Sequence, residues 1–157
     1  MSELGKNELG PGRSLPRVLI VEDEPGVAAL LQAIFKPIAQ ISGSYTNAAD
    51  AKKAIQEAEK KGQSFDLVIT DLGLGNNLPG GEEVVKALDE AFVDPDQRPH
   101  IILLTGSQGK ANAIFPSEEE RNRLKMEIWE KPLRVAAIMT KIEEIRASKN
   151  SLKAQAP

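Results

Sequence analysis

The chain contains no cysteine, which excludes disulfides and thiolate metal sites and fits a reducing compartment. Its only histidine, His100, cannot by itself build an imidazole metal centre. Positive charge is not in excess: the net charge is −3, so no basic face is expected for nucleic acid. No run approaches the roughly 20 apolar residues that span a bilayer. The opening MSELGKNELGPG lacks the apolar core of a signal peptide. The expectation is a cytoplasmic protein with neither nucleic acid nor membrane as partner.

What is present is ordinary for a globular domain: 157 residues, 41% apolar and 27% charged, enough for one domain with a core. Residues 1–15 read as a flexible extension, 16–147 as the domain and 148–157 as a flexible tail. Short apolar runs occupy Val18–Val21, Ile41–Tyr45, Leu67–Ile69, Ile101–Leu104 and Met126–Trp129. The first, third and fourth are apolar on both faces, as in parallel strands covered on both sides. Helical spacing alternates with them. Val27, Leu30, Leu31, Ile34 and Ile38 form one stripe, ended or kinked at Pro37. Further helices are expected over Ala48–Lys60, with Asn47 as N-cap, and over Gly81–Phe92. Ser117 and Glu120 make a capping box for a weaker helix. The last starts near Pro132 with Val135, Ile138, Ile142 and Ile145. Strand and helix alternate five times, which predicts an α/β fold with a doubly wound, five-stranded parallel sheet.

Asp71 closes the run Leu67-Val68-Ile69-Thr70, and Val18–Val21 runs into Glu22-Asp23-Glu24. In open α/β sheets ligands gather at the carboxyl edge of the strands. If these two strands are neighbours, Glu22, Asp23 and Asp71 converge on one acidic pocket. Such a cluster is costly without a cation, and oxygen donors without His or Cys favour Mg²⁺. Mg²⁺ shares carboxylates with phosphate, so the pocket suggests phosphoryl chemistry. The bland alternative is that Glu22-Asp23-Glu24 caps the next helix. Two more strand ends add Thr105 and Lys131. In a phosphoryl site Asp71 is the nucleophile that forms an acyl phosphate. Glu22 and Asp23 hold Mg²⁺, while Thr105 and Lys131 bind phosphoryl oxygens.

VLIVEDEPGV, FDLVITDLGL, HIILLTGSQ and WEKPL together resemble the receiver domain of two-component response regulators over residues 16–147. The resemblance implies a flavodoxin-like (βα)5 fold and phosphoryl donation to Asp71 by a histidine kinase or phosphotransfer protein. It also implies a Gly73 main-chain carbonyl on the metal and a cis peptide before Pro132. Three departures stand out. Ile128 occupies the place of the family's aromatic switch residue and cannot rotate between exposed and buried states as Tyr or Phe does. Leu74-Gly75 replaces the common Met-Pro, with a lengthened loop over residues 76–80. The stretch from Thr105 to Lys131 is long, rich in Glu and Arg, and lacks the usual Gly-Ala-Asp-Asp turn.

The expected function is a stand-alone phosphorylation-dependent switch. It would be no enzyme beyond its own phosphoryl transfer and dephosphorylation, and its output would pass to an unknown downstream protein or through a homodimer. Two alternatives stand beside it. A haloacid-dehalogenase-like phosphohydrolase wants an aspartate two residues after the nucleophile, where Gly73 has no proton to give. A phosphate-independent pseudo-receiver would need a damaged site. His100 reads as the opening of the fourth strand and Trp129 as core packing or a lid on the sheet edge. Glu118–Arg123 reads as a solvated helix face.

Overall fold

The computed structural model describes residues 15–74 and 80–155. Five strands, β1 (Arg17–Val21), β2 (Gln40–Tyr45), β3 (Leu67–Asp71), β4 (His100–Thr105) and β5 (Met126–Glu130), form one sheet in the order β2-β1-β3-β4-β5. Every neighbouring pair is parallel. The helices are α1 (Pro25–Phe35), α2 (Ala48–Lys60), α3 (Gly81–Ala91), α4 (Gln108–Ile114), α5 (Glu118–Arg123) and α6 (Val135–Gln155), with a 3₁₀ turn at Pro95–Gln97. This is the flavodoxin-like architecture of receiver domains.

Alternation along the strands divides the core in two. Leu19, Val21, Val68, Ile101 and Leu103 pack with α2, α3 and Ala111 of α4 on one face. Val18, Ile20, Leu67, Ile69, Ile102 and Leu104 pack with Leu31 and Phe35 of α1 and with Ile138, Ile142 and Ile145 of α6 on the other. A period of two puts successive side chains on opposite faces. That is why β1, β3 and β4 had to be apolar throughout. The chain leaves β1 toward β2, then returns past β1 to β3, so the topology reverses between β1 and β3. There the carboxyl ends open a crevice.

Local signals behave as expected in several places. α1 stops at Phe35, two residues before Pro37. The Asn47 side chain accepts a hydrogen bond from the Asp50 amide and caps α2. The Ser117 hydroxyl accepts from the Glu120 amide, but the Glu120 carboxylate turns to Arg123, so only half of a capping box forms. α6 continues to Gln155, past the expected domain boundary at residue 147. The expected extension at 1–15 lies outside the described residues except for Leu15, as does most of the loop after Gly75.

Candidate functional site

The carboxyl ends of β1 and β3 bring Glu22, Asp23 and Asp71 together: one carboxylate oxygen from each lies within 4.8 Å of the others. Parallel pairing of Val21 with Thr70 sets this meeting, because Glu22 and Asp71 follow those two residues directly. Glu22 and Asp71 are buried and Asp23 is half-buried. The residue directly after β5 supplies the cation. Lys131 Nζ donates to Asp71 Oδ2 at 2.9 Å and stands 3.7 Å from Glu22 Oε2. The peptide between Lys131 and Pro132 is cis, as the resemblance implied.

The cluster is electrostatically unfinished. Glu22 Oε1 accepts from the Glu24 amide at 3.1 Å, whereas Oε2 is buried without a hydrogen-bond partner among the described residues. Burial pushes the Glu22 carboxyl up to about 7, and the charge of Asp71 adds to the rise. The Glu24 amide and the Lys131 ammonium oppose it. Burial works against the Lys131 ammonium, but its hydrogen bond to Asp71 and the charges of Asp71, Glu22 and Glu24 hold it above the usual lysine range. A buried carboxylate oxygen with no donor, beside two further carboxylates, is the environment a hard divalent cation relieves.

Thr105, at the end of β4, is buried, but its hydroxyl faces its own loop. It donates to the Ser107 carbonyl at 2.8 Å and accepts from the Ser107 amide at 2.9 Å. The Ser107 hydroxyl in turn accepts from the Lys110 amide and caps α4. Gly73 is exposed, and its amide donates to Asp71 Oδ1 at 3.2 Å. A Cβ added at Gly73 would meet nothing within 4 Å among the described residues. Ile128 is half-buried against the core on the α3 side. Trp129 is half-buried against the opposite core, and its Nε1 donates to Glu127 at 3.3 Å. His100 opens β4, and burial holds its imidazole below the ordinary value.

Sequence reasoning missed two glycines that shape this edge. A Cβ on Gly81 would fall 2.3 Å from the Asp71 carbonyl oxygen, and one on Gly80 would fall 2.1 Å from that of Leu72. The Gly81 amide donates to the Leu72 carbonyl at 2.8 Å. The Gly-Gly pair thus lets α3 begin directly against the strand end that carries Asp71. The doublet Gly80-Gly81 before an amphipathic stretch was the available signal.

Fold and site together define a class: a doubly wound α/β domain with three carboxylates and a lysine at its switch point. The chain belongs to the response regulator receiver domain family, whose model matches residues 18–143, and receiver domains are the switch modules of two-component signalling. No curated protein sequence matches the chain. Solved structures with this fold include a signal receiver domain from Vibrio parahaemolyticus (23% identity, 92% of this chain and 100% of that one, TM-score 0.62). A response regulator receiver protein from Sinorhizobium medicae is also similar (19%, 85% and 96%, TM-score 0.64). The receiver domain of a Pseudomonas aeruginosa sensor histidine kinase aligns at 17% identity over 85% and 99% of the two chains, with a TM-score of 0.62. That structure holds a magnesium ion in its active-site cleft. Among the described residues, no helix is long and apolar enough to cross a membrane.

Proposed function

We propose that the protein is a phosphorylation-dependent switch in which Asp71 accepts a phosphoryl group from the phosphohistidine of a cytoplasmic histidine kinase or phosphotransfer protein. A carboxylate oxygen of Asp71 attacks phosphorus, the phosphorus–nitrogen bond breaks, and the imidazole leaves with a proton. An acyl phosphate results. Asp71 is held for this by the Lys131 ammonium on one oxygen and the Gly73 amide on the other. The carboxylates of Glu22, Asp23 and Asp71 and the Gly73 carbonyl are the groups that would hold Mg²⁺. The ion would supply charge neutralisation for the transferring phosphoryl group. Lys131 pairs with a phosphoryl oxygen once Asp71 is phosphorylated. Thr105 binds another by giving up its bond to the Ser107 carbonyl.

The observation that carries this reading is the convergence of three carboxylates within 4.8 Å, with one buried oxygen lacking a donor. The phosphohydrolase alternative finds no acid/base side chain at position 73. Turnover is therefore limited to self-catalysed transfer and dephosphorylation, and output passes by protein contact, to a partner or a second copy. A Mg²⁺ titration followed by Trp129 fluorescence tests the metal half of the reading, Trp129 lying two residues before Lys131. Saturable binding in the parent, lost in Asp71→Asn and weakened in Glu22→Gln, is expected. Equal binding in all three would overturn it.

A further inference from the structure

A groove of about 370 Å³ lies away from the phosphoryl site, between the outer face of α3 and the α4–α5 corner. Its apolar surface comes from Val85, Ile114, Phe115 and Leu124. Val85 and Leu124 belong to the core, but Phe115 is only half-buried and Ile114 is 40% exposed. Isolated exposed apolar residues are common, whereas one that extends an apolar floor inside a concavity is a candidate contact.

The charges around the floor are not balanced. Glu82 and Glu83, in the first turn of α3, line the groove. Glu83 approaches Lys52 at 3.9 Å with both side chains well exposed, a pair worth little in water. Glu82 makes no ion pair among the described residues. Glu118 and Glu119 open α5, the helix whose Glu120 lines the groove. Lys86 is the one cation lining the groove among the described residues. The remaining acids are already spent: Asp89 pairs with Arg98 at 2.6 Å and with Arg123 at 3.0 Å, and Glu120 pairs with Arg123. These pairs tie α5 to α3 and hold the two walls together, leaving the outer rim acidic.

We propose that this groove docks a basic amphipathic segment of a partner protein. One apolar side chain would seat on Ile114 and Phe115, with lysine or arginine side chains against Glu82, Glu83 and the first turn of α5. An apolar anchor ringed by complementary charge is the usual economy of such a contact, the anchor carrying affinity and the charges register and on-rate. The surface goes beyond the phosphoacceptor reading and does not depend on it.

The test uses the full chain, ¹⁵N-labelled, and a synthetic helical peptide with leucine at i, i+3, i+4 and i+7 and lysine elsewhere. Saturable shifts confined to residues 82–89 and 114–124 are expected, fading as salt is raised. The same peptide with glutamate for lysine should leave them still. Ile114→Asp and Glu82→Lys should each weaken binding about tenfold. Both variants should take up phosphoryl from acetyl phosphate as the parent does, which reports an intact fold. The peptide shifts do not depend on that uptake, so the two readings fail separately. Absence of shifts, shifts elsewhere, or equal response to the acidic peptide would overturn the proposal. Concentration-dependent shifts of the same residues without peptide would assign the groove to a second copy instead.

Discussion

Replacing Glu22 with Gln should make the metal-free protein more stable, although it removes a candidate metal ligand. The Glu22 side chain is fully buried, one of its oxygens has no hydrogen-bond partner among the described residues, and Asp71 crowds it with like charge. Burial and that charge raise the carboxyl from 4.5 to about 7. At about 1.4 kcal/mol per unit, the shift implies roughly 3 kcal/mol at most for ionising Glu22 in the fold. The sign follows from linkage. Below the unfolded value both states are protonated and there is no penalty. As pH rises toward 7 the unfolded chain sheds its proton first, so stability falls across that window and stays lower above it. Gln keeps an acceptor for the Glu24 amide and adds a donor that can serve Asp71. The expected gain is about 1–3 kcal/mol at about pH 8 in EDTA, shrinking toward zero at about pH 3.5. Urea unfolding at the two pH values measures it, and Mg²⁺ should stabilise the parent more than the variant. A variant less stable than the parent at the higher pH, or a difference that ignores pH, would refute the reasoning.

Three further outcomes follow from the same geometry. Gly81→Ala would drive a Cβ to 2.3 Å from the Asp71 carbonyl oxygen, so thermal or urea unfolding should show a loss of about 1–3 kcal/mol. Asp89→Ala would strand Arg98, whose side chain is 10% exposed, at a cost of about 1–3 kcal/mol in the same assay. In the parent, the Arg123 hydrogen bond holds Asp89 below its ordinary value, with Arg98 assisting against the cost of burial. That stabilisation is present above the unfolded value of 3.8 and is lost as pH falls through the folded one, so Asp89→Ala should matter least in strong acid. Gly73 puts no side chain of its own between water and the phosphoryl group. The acyl phosphate should therefore be short-lived, and Gly73→Asn should lengthen its decay as followed by intact mass.

Much of the fold is written in short-range pattern. β1, β3 and β4 are apolar on both faces because both faces are covered, and Asn47 and Ser117 announce their helices by side-chain chemistry. The acidic pocket was legible because Glu22, Asp23 and Asp71 end their strands, and strand ends of a parallel sheet share one edge. What escaped depends on distant contacts. α4 spans seven residues with only Ala111 buried, too little for a periodic stripe, and its one local sign is the Ser107 cap. α6 runs on through Ser148 and Lys149, where polar residues hide the helix; Lys149 instead reaches Asp66 at 3.2 Å. The Asp89–Arg98–Arg123 cluster joins residues from three separate segments and leaves no mark in any one of them. The strand-end hydroxyl of Thr105 is legible, but not its turn toward the main-chain carbonyl and amide of Ser107.

The central claim is that Asp71 is the phosphoacceptor. Intact-protein mass spectrometry after incubation with acetyl phosphate and Mg²⁺ tests it most directly. The parent should gain a single phosphate-sized adduct that EDTA prevents and Asp71→Ala abolishes. An adduct that persists in Asp71→Ala, or none in the parent, would contradict it.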